Sequence, residues 1–267
     1  MSRRGGERPA GALAMAMVAV WLLVTTACGA NAGPTPPGTD GGPDVTPGGG
    51  DGPTPDNFAE QRERMVDAAI IGGGIEDEDV IQAMGAVPRH EFVPEQYLAQ
   101  AYENHPLPIG HGQTISQPYI VALMTEAAEI EAGDKVLEVG TGSGYQAAVL
   151  AELADHVYTM EIIGPLKERS EATLAELGYE NVSVRHGDGY FGWPEEALFD
   201  AIVVTAAPDH IPQPLVEQLR AGGYMLIPVG PVGGYQTLWR VTKDSDGEVS
   251  TEDLGGVRFV PLTREEQ

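Results

Sequence analysis

The chain of 267 residues reads as an α/β protein built on a doubly wound, mostly parallel sheet that closes with an antiparallel hairpin. Three observations predict it. A short apolar run, Val136 to Val139, leads straight into the glycine turn Gly140, Gly142, Gly144 and then into a helical stretch. After that turn, strand-like and helix-like segments alternate to about residue 228, as a parallel sheet requires. Two final strand-like runs flank Asp244-Ser-Asp-Gly247, a strong hairpin turn.

Residues 1–27 have the form of a targeting segment. Arg3, Arg4 and Arg8 give a positive start, and Leu13 to Val24 is an apolar run too short to span a bilayer comfortably. It stops at Thr25-Thr-Ala-Cys28, which resembles a bacterial lipoprotein signal, where the cysteine is lipidated and becomes the mature N-terminus; Thr25 departs from the usual Leu. An uncleaved anchor is the alternative, and Ser2-Arg3-Arg4 also hints at a twin-arginine signal. Residues 28–57 form a Gly/Pro/Thr/Asp tract with almost nothing to bury, expected to be a disordered linker or tail. The folded domain is expected over 58–267.

Its elements follow in order. Met65, Val66, Ala69 and Ile70 put a helical stripe on Phe58 to Ile71, closed by Gly72-Gly-Gly74. Asp77 to Met84 is a second helix with acids in its first turn and Gly85 as its expected stop. Pro88, Pro94, Pro106 and Pro108 make the next stretch irregular, up to Gly110-His-Gly-Gln-Thr-Ile-Ser-Gln-Pro118 and a helix through Glu129. Then come the strand at Val136, a helix from Tyr145 to Ala154, a strand from Val157 to Met160, a helix from Leu166 to Leu177 capped by Gly178, and a strand from Val182 to His186. Phe199 to Thr205, a helix over Pro214 to Leu219, Tyr224 to Pro228, Gln236 to Thr242 and Glu248 to Leu254 complete the series.

Composition narrows the function. A formal charge of −25, with no basic stripe after the first residues, argues against a nucleic-acid partner. Cys28 is the only cysteine and the six histidines lack H-E-x-x-H spacing, so no metal site is expected. The glycine turn admits a ligand against bare backbone. Glu161 lies 21 positions past Gly140, about the spacing at which an acid meets ribose hydroxyls. A dinucleotide fingerprint would need Gly or Ala where Tyr145 stands.

The pattern present, E-x-G-x-G-x-G from Glu138, resembles motif I of class I S-adenosylmethionine (AdoMet) methyltransferases, whose fold is Rossmann-like. Further runs resemble the protein-L-isoaspartate O-methyltransferase family specifically: Val87-Pro-Arg-His-Glu-Phe-Val-Pro94, Gly112-Gln-Thr-Ile-Ser-Gln-Pro118, Gly187-Asp-Gly189, Thr205-Ala-Ala-Pro208 and Val257-Arg-Phe-Val-Pro-Leu262. The resemblance implies methyl transfer from AdoMet, leaving S-adenosyl-L-homocysteine, to the α-carboxylate of isoaspartyl residues in damaged proteins or peptides. It implies that Ser116 orients this carboxylate; a plain N-cap of the following helix is the competing structural reading, and the two roles are compatible. It places Thr114 and Ile115 beside the cofactor, Glu138 and Gly140, Thr141, Gly142, Ser143 and Gly144 at its methionine end, and Glu161 at the ribose. Asp188 and Gly189 fall at the adenine (or form an ordinary turn), and Gln236 approaches from the C-terminal segment. Arg89 and His111 could help place the peptide, His111 being as readily a surface residue. A monomer is expected, touching membrane only through Cys28, in the cell envelope if the signal is used and otherwise in the cytoplasm. The competing readings are a methyltransferase for another small-molecule or protein carboxylate, and a non-catalytic nucleotide-binding module.

Overall fold

The computed structural model describes residues 55–264. The signal at 1–27, Cys28 and the expected linker as far as residue 54 lie outside the described residues. Helix α1 (Pro55–Met65) begins three residues before the expected boundary, with Pro55 in the first turn, where its missing N–H costs nothing. It continues as a π-helical turn, Val66–Ile71. In α2 (Glu78–Ala86) the Asp77 carboxylate accepts from the N–H groups of Asp79 and Val80. Gly85 sits inside α2 and does not stop it. Val87, extended at φ −68°, ψ 123° because Pro88 follows, is where the helix ends.

The proline-rich stretch is more ordered than the sequence suggests. Two 3₁₀ turns, Arg89–Phe92 and Glu95–Gln100, lead into a small antiparallel hairpin of β1 (Leu107–Gly110) and β2 (Gln113–Ile115). Helix α3 (Pro118–Ala127) ends two residues short of Glu129, which adopts φ +48°.

Then come β3 (Lys135–Val139), α4 (Tyr145–Ala151), β4 (His156–Glu161), α5 (Gly164–Glu176), β5 (Val182–His186), β6 (Phe199–Val204), α6 (Gln213–Gln218), β7 (Leu219–Val229), β8 (Gln236–Lys243) and β9 (Val249–Val257). Helix α4 stops three residues before the expected Ala154. Strand β7 starts five residues earlier than expected and runs through Gly222 and Gly223, with a register shift against β6. The seven strands lie in the order β5-β4-β3-β6-β7-β8-β9, the first five parallel and the last two antiparallel, as the sequence predicts.

Alternation along the central strands feeds two cores. Val136, Ala201 and Val203 face the N-terminal helices, whereas Leu137, Val139, Ile202 and Val204 pack against Leu215 and Leu219 on the other face. From β3 the chain winds to β4 and β5 on one side; β6 and β7 lie on the other. The carboxyl ends of β3, β4 and β6 therefore border a crevice, the position where open α/β sheets hold ligands. Among the described residues no helix is long and apolar enough to cross a membrane, and no group of three or more His, Cys, Asp or Glu could hold a metal ion.

Candidate active site

A cleft of about 740 Å³, counting its open mouth, occupies that crevice. Its floor is the glycine turn. Gly140 and Thr141 both donate to the Met160 carbonyl, at 2.9 and 3.1 Å, which ties the turn to β4. Gly140 has φ +103°, and a Cβ there would meet Thr205 Oγ1 at 2.4 Å. That hydroxyl donates to the carbonyls of Gly140 and Val139, at 2.6 and 3.0 Å, and stitches the end of β6 to the end of β3. Thr141 and Ser143 turn their hydroxyls inward: Ser143 accepts from the Tyr145 N–H, and Thr141 bonds Thr159 at 2.7 Å. What the turn offers to the cleft is mostly bare backbone.

Two carboxylates flank it. Glu161 closes β4, and its two oxygens accept from the N–H groups of Gly142 (2.7 Å) and Ile163 (2.9 Å), so it braces the turn while lining the cleft. Glu138 lines the cleft and is fully buried. Its Oε2 accepts from the Thr159 hydroxyl, while Oε1 has no partner among the described residues. Burial pushes its pKa up to about 8, the Thr159 hydrogen bond works against that rise, and the negative charge of Glu161 adds to it. An orphaned buried carboxylate oxygen is costly and is satisfied well by a cation. The donor set therefore fits a ligand with an ammonium group near Glu138, hydroxyls near Glu161 and a body lying on the glycine turn.

The opposite wall comes from the N-terminal part. Gln113, Thr114, Ile115 and Ser116 line the cleft. Arg169 on α5 donates to the Ile109 carbonyl at 2.8 Å and pins the β1–β2 hairpin over the turn. The N-cap of α3 is Gln117, without a side-chain cap bond, and the Tyr119 N–H is instead served by Asn104 Oδ1 at 3.1 Å. Ser116 is thus not the cap, and its hydroxyl has no protein partner among the described residues. His111 stands exposed at the hairpin tip with φ +52°.

Three expected residues stand back from the cleft. Gly144 is the left-handed N-cap of α4, packed against Ser170 and Leu174. Asp188 caps a short turn through Tyr190 N–H and pairs with Arg264 at 2.8 Å, so only its neighbour Gly189 lines the cleft. A Cβ on Gly189 would strike Val139 Cγ1 at 2.5 Å, which explains the glycine. Gln236 is buried behind the wall: it accepts from Phe259 N–H at 2.9 Å and donates to the Pro231 carbonyl at 3.3 Å. Arg89 is also fully buried and cannot touch a peptide directly.

Other lining residues were given no role in the site from sequence. Val121, Tyr145, Gln146, Thr205 and Ala206 contribute, as does the returning segment Val260 to Thr263. That segment is zipped to Ala207, which donates to the Val260 carbonyl and accepts from Leu262 N–H. The Val257 to Leu262 run was visible in the sequence, but nothing local says that it folds back over the sheet.

Comparison with known proteins points to one family. The family model described as protein-L-isoaspartate(D-aspartate) O-methyltransferase matches residues 60–267. The chain is 64% identical over 187 residues to protein-L-isoaspartate O-methyltransferase 2 of Polaromonas sp., covering 70% of this chain and 89% of that protein. It is 57% identical to the protein-L-isoaspartate O-methyltransferase of Opitutus terrae, covering 77% of this chain and 88% of the relative. A crystal structure from Plasmodium falciparum, assigned to the same activity and solved in complex with S-adenosyl-L-homocysteine, is similar with a TM-score of 0.66 and 27% identity, covering 76% of this chain and 99% of that one.

Proposed function

Because the chain belongs to the protein-L-isoaspartate O-methyltransferase family, we infer that its cleft transfers the methyl group of AdoMet to the α-carboxylate of L-isoaspartyl residues in damaged proteins or peptides. The observation that carries this reading is that Ser116 lines the same cleft as the bare glycine turn and as Glu138, whose Oε1 has no partner among the described residues. When bound, AdoMet supplies an electrophilic methyl on a cationic sulfur. Glu138 is suited to its ammonium group, Glu161 to its ribose hydroxyls, and the backbone from Gly140 to Ser143 to close contact with its methionine end. Gly189 is suited to the base, with Asp188 held just outside.

The acceptor needs little activation. A carboxylate is already ionised near neutral pH, so the protein's task is to orient it and exclude water. Ser116 does the orienting by donating a hydrogen bond to the substrate carboxylate; it is not a nucleophile. The test is incubation of the full chain with labelled AdoMet and paired peptides differing only in Asp against isoAsp. Label should enter the isoAsp peptide alone, and Ser116→Ala should cut turnover while AdoMet affinity persists. Equal labelling of both peptides, or of neither, overturns the reading.

We further propose that Cys28 is lipidated and anchors the enzyme in the cell envelope. The support is in the sequence: the positive start, the short apolar run and the small residues before the cysteine. Cys28→Ser should move the protein from the membrane to the soluble fraction; a wild type found in the cytosol with its N-terminus intact refutes the anchor. The catalytic unit is proposed to act as a monomer, which sedimentation velocity at micromolar concentration tests.

A further inference from the structure

Arg89 is buried completely, yet no carboxylate pairs with it among the described residues. Its Nε donates to the Ala101 carbonyl and its Nη2 to the Ser116 carbonyl, both at 2.8 Å. Its Nη1 has no partner among the described residues. The guanidinium carbon lies 4.8 Å from the centre of the Tyr145 ring, and Tyr145 itself lines the cleft. Burial lowers its pKa to about 10, which leaves it charged at neutral pH. A buried cation satisfied only by carbonyls and a ring face is expensive, and a residue serving merely as a strut between two carbonyls does not need the charge.

The cleft explains what the charge can do. Glu161 lines one part of it with no cation paired to it among the described residues, and the chain as a whole carries −25. A substrate that must present its own carboxylate enters a repulsive field. Arg89 sits directly behind Ser116, where that carboxylate is to be held, and the low-polarity surroundings of a buried cation leave its field poorly screened.

Resting on the function proposed above, we propose that Arg89 is a positioning residue for methyl transfer. It fixes the Ser116 backbone and attracts the substrate carboxylate to the Ser116 side of the cleft, so that the site prefers a carboxylate over an uncharged group of the same shape. It never touches the substrate. The Val-Pro-Arg run of the sequence acquires a purpose: Pro88 ends α2 and the following 3₁₀ turn aims Arg89 inward.

The experiment compares two peptides at equilibrium, in the presence of S-adenosyl-L-homocysteine: one with isoaspartate, and one with the α-carboxylate converted to its primary amide. The proteins are wild type, R89K, R89M and R89Q. Wild type should prefer the carboxylate peptide; in R89M and R89Q that preference should fall about tenfold, the scale of one poorly screened charge interaction. Binding of the amide peptide and of S-adenosyl-L-homocysteine should change little. R89K keeps the charge but cannot span both carbonyls. It should hold the preference within about threefold while kcat drops, and it also tests the proposal should the neutral variants not fold. Equal loss for both peptides in R89M or R89Q, or loss of preference in R89K, overturns the electrostatic role. A wild type that does not distinguish isoAsp from Asp peptides instead overturns the functional reading beneath it.

Discussion

Replacing Glu138 with Gln tests the donor end of the site and the stability of the protein together. Burial pushes the Glu138 carboxyl up to about 8 from an ordinary 4.5. Between those values the folded protein holds a proton that the unfolded chain has released. The favourable contribution is complete below about pH 4.5 and is lost as pH rises through about 8. At 1.36 kcal/mol per unit, the penalty relative to an ordinary glutamate is about 3 kcal/mol at pH 7, with an upper bound of about 5 kcal/mol in alkali. Glutamine has the same shape and cannot ionise, and the Thr159 hydroxyl can still bond it. E138Q without ligand should therefore match wild type near pH 4 and exceed it by about 3 kcal/mol near pH 7, roughly 6–12 °C in Tm. Binding should move the other way. An AdoMet ammonium group beside Glu138 favours the ionised carboxylate, so wild type should release close to one proton on binding at pH 7, and E138Q none. Loss of that buried charge pair should weaken AdoMet about 30-fold or more. Thermal melts across pH, together with calorimetry in buffers of different ionisation enthalpy, read both quantities. Parallel Tm–pH curves for the two proteins, or equal proton release, would refute the assignment of Glu138 as a buried acid awaiting a cation.

Three further outcomes are expected. Gly140→Ala combines φ +103° with a Cβ 2.4 Å from Thr205 Oγ1, and should cost about 2 kcal/mol or more; an unchanged thermal midpoint would contradict the close packing of β3 on β6. Glu161→Gln leaves a single acceptor for the two N–H groups of Gly142 and Ile163 and removes a charge from the ribose end. It should weaken AdoMet about 10–100-fold with little change in peptide KM at saturating donor, and a change confined to peptide KM would argue against that role. Arg264 bonds Asp188 and lies 3.6 Å over the Tyr190 ring, clasping the segment that walls the cleft. Since the pair is partly exposed, Arg264→Ala should shift stability by less than about 1 kcal/mol yet release bound S-adenosyl-L-homocysteine several-fold faster in stopped-flow; unchanged release would deny the clasp.

Much of the architecture was written locally. The run from Lys135 to Tyr145 could be placed as strand, turn and helix because glycines and buried apolar alternation are short-range signals, and the same held for the strand from Val182 to His186 and the turn at Asp244. Glu138, Glu161 and the turn between them were legible for that reason. Other features depend on which distant groups become neighbours. Gly85 looked like a helix stop, but Pro88 decides the end of α2; β1 and β2 show as strands only once each supplies the other's hydrogen bonds. Gln236 and Asp188 carry expected cofactor roles, and only the fold shows the Gln236 amide bonded to Phe259 and Pro231 and the Asp188 carboxylate paired with Arg264 from the far end of the chain. Ser116 was expected to orient the substrate, with an N-cap as the competing reading, and only the fold shows Asn104 serving the Tyr119 N–H. Local sequence determined the strand order's ingredients, the ligand-bearing turn and the acids beside it, because backbone conformation there is set by the residues themselves. Only the tertiary structure decided which side chains remain unsatisfied and face the cleft, because that depends on every partner the folded chain brings within reach.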